Sequence, residues 1–191
     1  FNHGVQSMTE SHAAQIKELQ EQISRMNTAP GGVSIPTDGS AMTPAQLYAS
    51  QVNSVVAIST TIQSGRSSGQ SSGSGFILTE DGYIITNSHV VEDAGTVRVR
   101  LTDGEEYPAM IIGSDAVSDL AVLYIECNGL TPATFGNSDS LRVGDAVAAI
   151  GDPMGVQFHG TMTDGIVSAI NRDVDMNGRT MTLIQTNAAL N

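Results

Sequence analysis

The 191 residues suit one main globular unit with an appendage, and 40% apolar against 4% aromatic content, with no Trp, leaves Val, Ile, Leu, Ala and Met to fill its core. Twenty Asp plus Glu against eight Lys plus Arg give a net charge of -12, which repels phosphate backbones and anionic membranes and argues against nucleic acid as a partner. The single Cys127 permits no internal disulfide, and no apolar run approaches the roughly 18 residues needed to span a bilayer.

Residues 7–27 read as a helix, with Ser7 and Glu10 as a capping box and Ile16, Leu19, Ile23 and Met26 at steps of three and four. Glu21 and Arg25 add a favourable pair one turn apart. So short a seam leaves two readings open, a self-associating helix or a marginal stalk. Pro30-Gly31-Gly32 ends it, and residues 28–44 read as a linker punctuated by Pro36, Asp38, Gly39 and Pro44. Phe1-Asn2-His3-Gly4 does not read as a signal peptide, and without an initiator Met further upstream sequence is expected.

From Gln51 the pattern changes to short β segments at 52–60, 75–78, 83–86, 96–101, 107–113, 120–125, 146–150, 166–170 and 180–185. Asp81-Gly82, Asp103-Gly104 and Asn177-Gly178 are turn signals between them, and the whole reads as an all-β barrel or sandwich. Residues 64–74 carry six Ser and three Gly and no apolar side chain, so they read as a mobile loop. A nucleophile must be rigidly held beside its base, which argues against Ser71, Ser72 or Ser74. Cys127, at a strand end, reads as a structural thiol.

Two segments carry chemistry. Thr86-Asn87-Ser88-His89-Val90-Val91 offers an imidazole, and Ser118-Asp119-Leu120-Ala121-Val122-Leu123 offers a carboxylate. Taken alone, His89 reads as a core histidine at a strand end; with Asp119 and its flanks, the catalytic reading outweighs it. His3, His12 and His159 form no convincing zinc set, so no metal is expected. Asp173 and Asp175 read as a solvated hairpin end rather than a calcium site.

These segments belong to an ordered series that includes Gly73-Ser74-Gly75-Phe76-Ile77-Leu78, Leu141-Arg142-Val143-Gly144-Asp145, Ile150-Gly151-Asp152-Pro153-Met154-Gly155, Gly165-Ile166-Val167-Ser168-Ala169 and Ile184-Gln185-Thr186-Asn187-Ala188-Ala189-Leu190-Asn191. The series resembles the HtrA/DegP branch of trypsin-like serine proteases over residues 45–191. The resemblance implies a chymotrypsin-like double β-barrel whose second barrel is incomplete here, with about three of its strands before Asn191. It also implies His89 as general base, Asp119 as its orienting acid, and no cofactor. In the family the nucleophile follows in Gly-Asn-Ser-Gly-Gly, just past Asn191. Loss of Ser in a subtilisin-type enzyme removes on the order of 10⁶ in turnover, so this chain alone is expected to be inert.

Ala189 and Leu190 stand where the family lines the pocket for the residue preceding the scissile bond, which implies small aliphatic substrates; Leu190 reads equally as a core residue. Asn53, Asp152, Asp164 and Asn187 depart from the family's usual Pro, Asn, Ser or Thr, and Asp; Asp164 and Asn187 leave loop conformation and pocket electrostatics open, though not the fold. The loop 151–163 is a candidate regulatory element. As a whole the resemblance implies an endopeptidase for unfolded proteins, outside the cytoplasm, as a homotrimer with a PDZ domain downstream and a possible membrane tether upstream. The rivals are a pseudoprotease or a trypsin-like barrel used as a scaffold, and a regulated fragment cut near Asn191.

Overall fold

The computed structural model describes residues 42–64, 67–152, 160–176 and 179–190. The expected helix at 7–27, nearly all of the linker at 28–44, His3, His12, His159 and the Asn177-Gly178 turn lie outside the described residues.

Alternation of more and less buried positions marks strands of the first sheet. Six antiparallel strands, β1 (Val55–Ser64), β2 (Ser67–Ile77), β3 (Tyr83–Thr86), β4 (Ala94–Arg100), β5 (Glu106–Asp115) and β6 (Leu120–Ile125), close into a barrel in the order β1-β2-β3-β6-β5-β4. In β6, Ala121, Leu123 and Ile125 are buried while Leu120 is exposed, the period of two that faces one side of a strand inward. Val56, Ile58, Ile77, Ile84, Val97 and Val99 complete an aliphatic core, each contributing about 1.5–3 kcal/mol through burial. Asp81-Gly82 makes the expected turn before β3. Gly82 has φ of +111°, and a Cβ there would lie 2.1 Å from the Ile125 carbonyl oxygen.

The expected mobile loop at 64–74 is corrected by the structure. From Ser67 onward it is strand, paired residue for residue with β1 from Ser64↔Ser67 to Val55↔Phe76. Strand pairing needs only backbone N–H and C=O groups, which Ser and Gly supply as well as any residue. Gly73 lies so close to Val90 that a Cβ would come within 2.6 Å of its Cγ2. What reads as flexibility is a close approach of two elements.

A short helix, α1 (Pro44–Gln51), precedes the barrel where the linker was expected to end. Thr43 accepts the Gln46 N–H at 3.3 Å and Gln46 Oε1 accepts the Thr43 N–H at 2.9 Å, with Pro44 in the first turn. A single 3₁₀ turn, Val52–Ser54, follows, which is why β1 begins at Val55 rather than Val52.

The second sheet comprises β7 (Ala146–Gly151), β8 (Thr161–Met176) and β9 (Arg179–Thr186) in sequential antiparallel order. Among the described residues it has three strands, does not close, and leaves Ile166, Ile170 and Ile184 exposed. A closed barrel followed by an open second sheet is the chymotrypsin-like architecture expected from the sequence, with its second barrel incomplete in this chain. Asp152, buried after β7, ties the two sheets together. Its N–H donates to Ser74 Oγ at 2.7 Å, and its Oδ1 accepts the Gly160 N–H at 2.7 Å.

Candidate active site

His89 sits on one helical turn, α2 (Ser88–Val91), between β3 and β4. Buried apolar and hydroxyl contacts fix that turn. Val90 and Val91 enter the barrel core, the buried Thr60 hydroxyl lies 3.3 Å from the Val90 carbonyl as its donor, and Ser88 Oγ pairs with Ser114 Oγ at 2.8 Å. The imidazole itself is 67% exposed, so the core-histidine reading is overturned.

Asp119 reaches His89 from the turn between β5 and β6. Asp115 shapes that turn: its Oδ1 accepts the Val117 N–H at 2.9 Å and its Oδ2 accepts the Ser118 hydroxyl at 2.8 Å. Asp119 follows with φ of +54°, a left-handed conformation that Asp tolerates better than most residues. Its carbonyl then accepts the Ser88 N–H at 3.1 Å and the Asn87 amide at 3.2 Å. The loop is thereby clamped against α2 before the carboxylate makes any contact.

Both carboxylate oxygens are engaged. Oδ1 accepts the His89 N–H at 3.0 Å, while Oδ2 meets His89 Nδ1 at 2.8 Å and the Asn87 amide at 3.2 Å. Partial burial pushes the Asp119 pKa up, but hydrogen bonds from the His89 amide and ring, attraction to the imidazole and the Asn87 amide together hold it below the ordinary 3.8. At neutral pH Asp119 is therefore an anion and can only accept. Nδ1 must then carry a proton, and in the neutral imidazole the lone pair is left on Nε2. The pair thus presents a base at Nε2 and a counter-charge for the imidazolium that forms when the base takes a proton.

His89, Asp119, Asn87, Val117 and Glu92 line a cleft of about 610 Å³ together with Met181 and Leu183 of β9. The two segments singled out in the sequence therefore meet at one opening.

Residues 73–191 match the family of the trypsin-like peptidase domain. The chain belongs to this family. Within it the domain is HtrA-like. It is 50% identical over 123 residues to a probable periplasmic serine endoprotease, DegP-like, of Chlamydia muridarum, covering 62% of this chain and 24% of the relative. A serine protease Do-like HtrA of Bacillus subtilis is 45% identical over 149 residues, covering 74% and 33%. Among solved structures, the HtrA-type protease AlgW with a tripeptide superposes with a TM-score of 0.68 at 38% identity, over 75% of this chain and 47% of that one. AlgW with a decapeptide gives 0.69 at 32% identity, over 78% and 53%. The chain spans about a quarter of the length of the first of these curated relatives.

The trypsin-like domain holds the other sequence-selected residues elsewhere. Ala189 and Leu190 are exposed, Leu190 by 71%. Neither is among the described residues lining the His89 cleft, and the Ala189 carbonyl instead accepts the Thr163 hydroxyl at 2.7 Å. Asn187 Oδ1 accepts the Ile166 N–H at 2.7 Å, a contact a carboxylate would make equally, so this departure leaves the local loop intact. Sequence reasoning gave no role to Asn87, Glu92, Val117, Met181 or Leu183. Asn87 was detectable as a polar neighbour of His89, whereas the cleft wall on β9 depends on a strand pairing far along the chain.

Proposed function

We propose that the chain is the N-terminal part of an HtrA-type serine endopeptidase in which His89 is the general base and Asp119 its orienting acid. The observation that carries this is the 2.8 Å contact between His89 Nδ1 and Asp119 Oδ2 at the mouth of an open cleft. A Ser hydroxyl is a poor nucleophile until an imidazole accepts its proton, and this pair offers that acceptor with the correct nitrogen free. The nucleophile is a Ser following Asn191, together with the backbone amides that stabilise the oxyanion. The 191-residue chain alone is inert. The substrates are unfolded or damaged proteins, with small aliphatic residues before the scissile bond read by Ala189 and Leu190. The relatives named periplasmic support an extracytoplasmic site of action. A stalk at 1–27, a linker at 28–44 and the protease domain from 45, assembled as a homotrimer with a PDZ domain downstream and a membrane tether upstream, complete the proposal.

The test is fluorophosphonate labelling of the longer polypeptide, mapped by peptide mass spectrometry. We expect one label, on a Ser C-terminal to Asn191. A replaced Ser at that position, with no label, would establish the non-catalytic alternative.

A further inference from the structure

The cleft beside His89 carries a charge that the His89–Asp119 pair does not use. Glu92 follows α2 directly, turns into extended backbone with φ of -61° and ψ of 132°, is exposed, and lines the same cleft. Among the described residues it makes no ion pair. Asp119, the other carboxylate of the cleft, is already occupied by His89 and Asn87. No Lys or Arg is among the described residues lining the cleft, and much of its wall is apolar through Val117, Met181 and Leu183.

We propose that Glu92 is a specificity-determining residue that selects peptides carrying Lys or Arg close to the scissile bond. An apolar wall with one unpaired carboxylate at its edge matches a side chain of the same build. The aliphatic stem of Lys or Arg lies on Val117, Met181 and Leu183 while its cationic head reaches Glu92. An acidic residue in the same place would face Glu92 across a cleft whose described lining offers no Lys or Arg to relieve the repulsion. The net charge of -12 adds a long-range attraction for basic segments. This selection acts at a position other than the one directly before the scissile bond, where a small aliphatic residue is proposed.

The inference rests on the endopeptidase reading, and the test separates the two. The longer polypeptide, wild type, Glu92→Gln and Glu92→Lys, is given peptides with Val before the scissile bond and Lys, Gln or Glu at each flanking position in turn, at low and high salt. At one flanking position or more, wild type should favour Lys over Gln in kcat/KM by about fivefold at low salt, as expected of an exposed charge pair, and by less at high salt. Glu92→Gln should lose the preference and Glu92→Lys should favour Glu. The same Lys preference in wild type and Glu92→Gln, or equal losses on all three peptides, would overturn the role of Glu92 and leave the endopeptidase reading standing. No cleavage of any peptide by wild type would remove both.

Discussion

At the scale of single residues the site depends on which imidazole nitrogen holds the proton. An anionic Asp119 fixes it on Nδ1. Asp119→Asn is the informative change, because Asn also tolerates the left-handed backbone at φ +54° and so leaves the turn unstrained. Its amide can donate to Nδ1, which favours the tautomer that has no lone pair at Nε2. In the longer polypeptide we expect kcat for peptide hydrolysis to fall by about 10⁴, with KM little changed. The pH dependence follows from the same contacts. Asp119 has a lowered pKa in the fold, so its contribution to stability is complete above the unfolded value near 3.8 and is lost as pH falls through the lower folded value. Urea unfolding of wild type relative to Asp119→Asn should show wild type losing ground below about pH 4, where the Asp119 carboxylate takes up its proton, and no loss there would contradict the assignment.

At the scale of elements, α2 holds His89 only because β2 lets it approach. Gly73→Ala would place a Cβ 2.6 Å from Val90 Cγ2 and 2.9 Å from Cγ1. Relief requires the Val90 side chain, α2 or the β2 backbone to shift, at a cost of about 1–3 kcal/mol. Thermal unfolding should show a lowered melting temperature, and the longer polypeptide should lose activity with it. Gly69→Ala serves as the control, since the nearest atom to its Cβ would be Ile62 Cβ at 4.0 Å, and it should be nearly neutral. The Ser- and Gly-rich stretch was illegible as a strand because its evidence in sequence would have been apolar alternation. Its pairing partner, β1, and Val90, the residue that requires Gly73, lie outside the stretch. The helix α1 was legible in principle, since Thr43, Pro44 and Gln46 spell a cap. The nine segments read as strands all contain strand, because each is a short apolar or alternating run that a sheet must bury on at least one face.

At the scale of the molecule, the sequence makes the architecture legible through the order of its motifs, and the dyad through the flanks of His89 and Asp119. The cleft was not legible, because Met181 and Leu183 reach it only through the pairing of β8 with β9. The exposed Ile166, Ile170 and Ile184 on the second sheet suit coverage by further strands. The isolated 191-residue chain should therefore bind a hydrophobic dye more strongly, per mole, than the longer polypeptide, and show no casein hydrolysis; equal dye binding would mean that this face is not covered. The central claim is that the imidazole of His89 is the base of a serine endopeptidase, and it is tested most directly by the rate of casein hydrolysis by the longer polypeptide carrying His89→Ala. We expect that rate to fall by several orders of magnitude while the fold is retained, and hydrolysis at the wild-type rate would contradict the assignment.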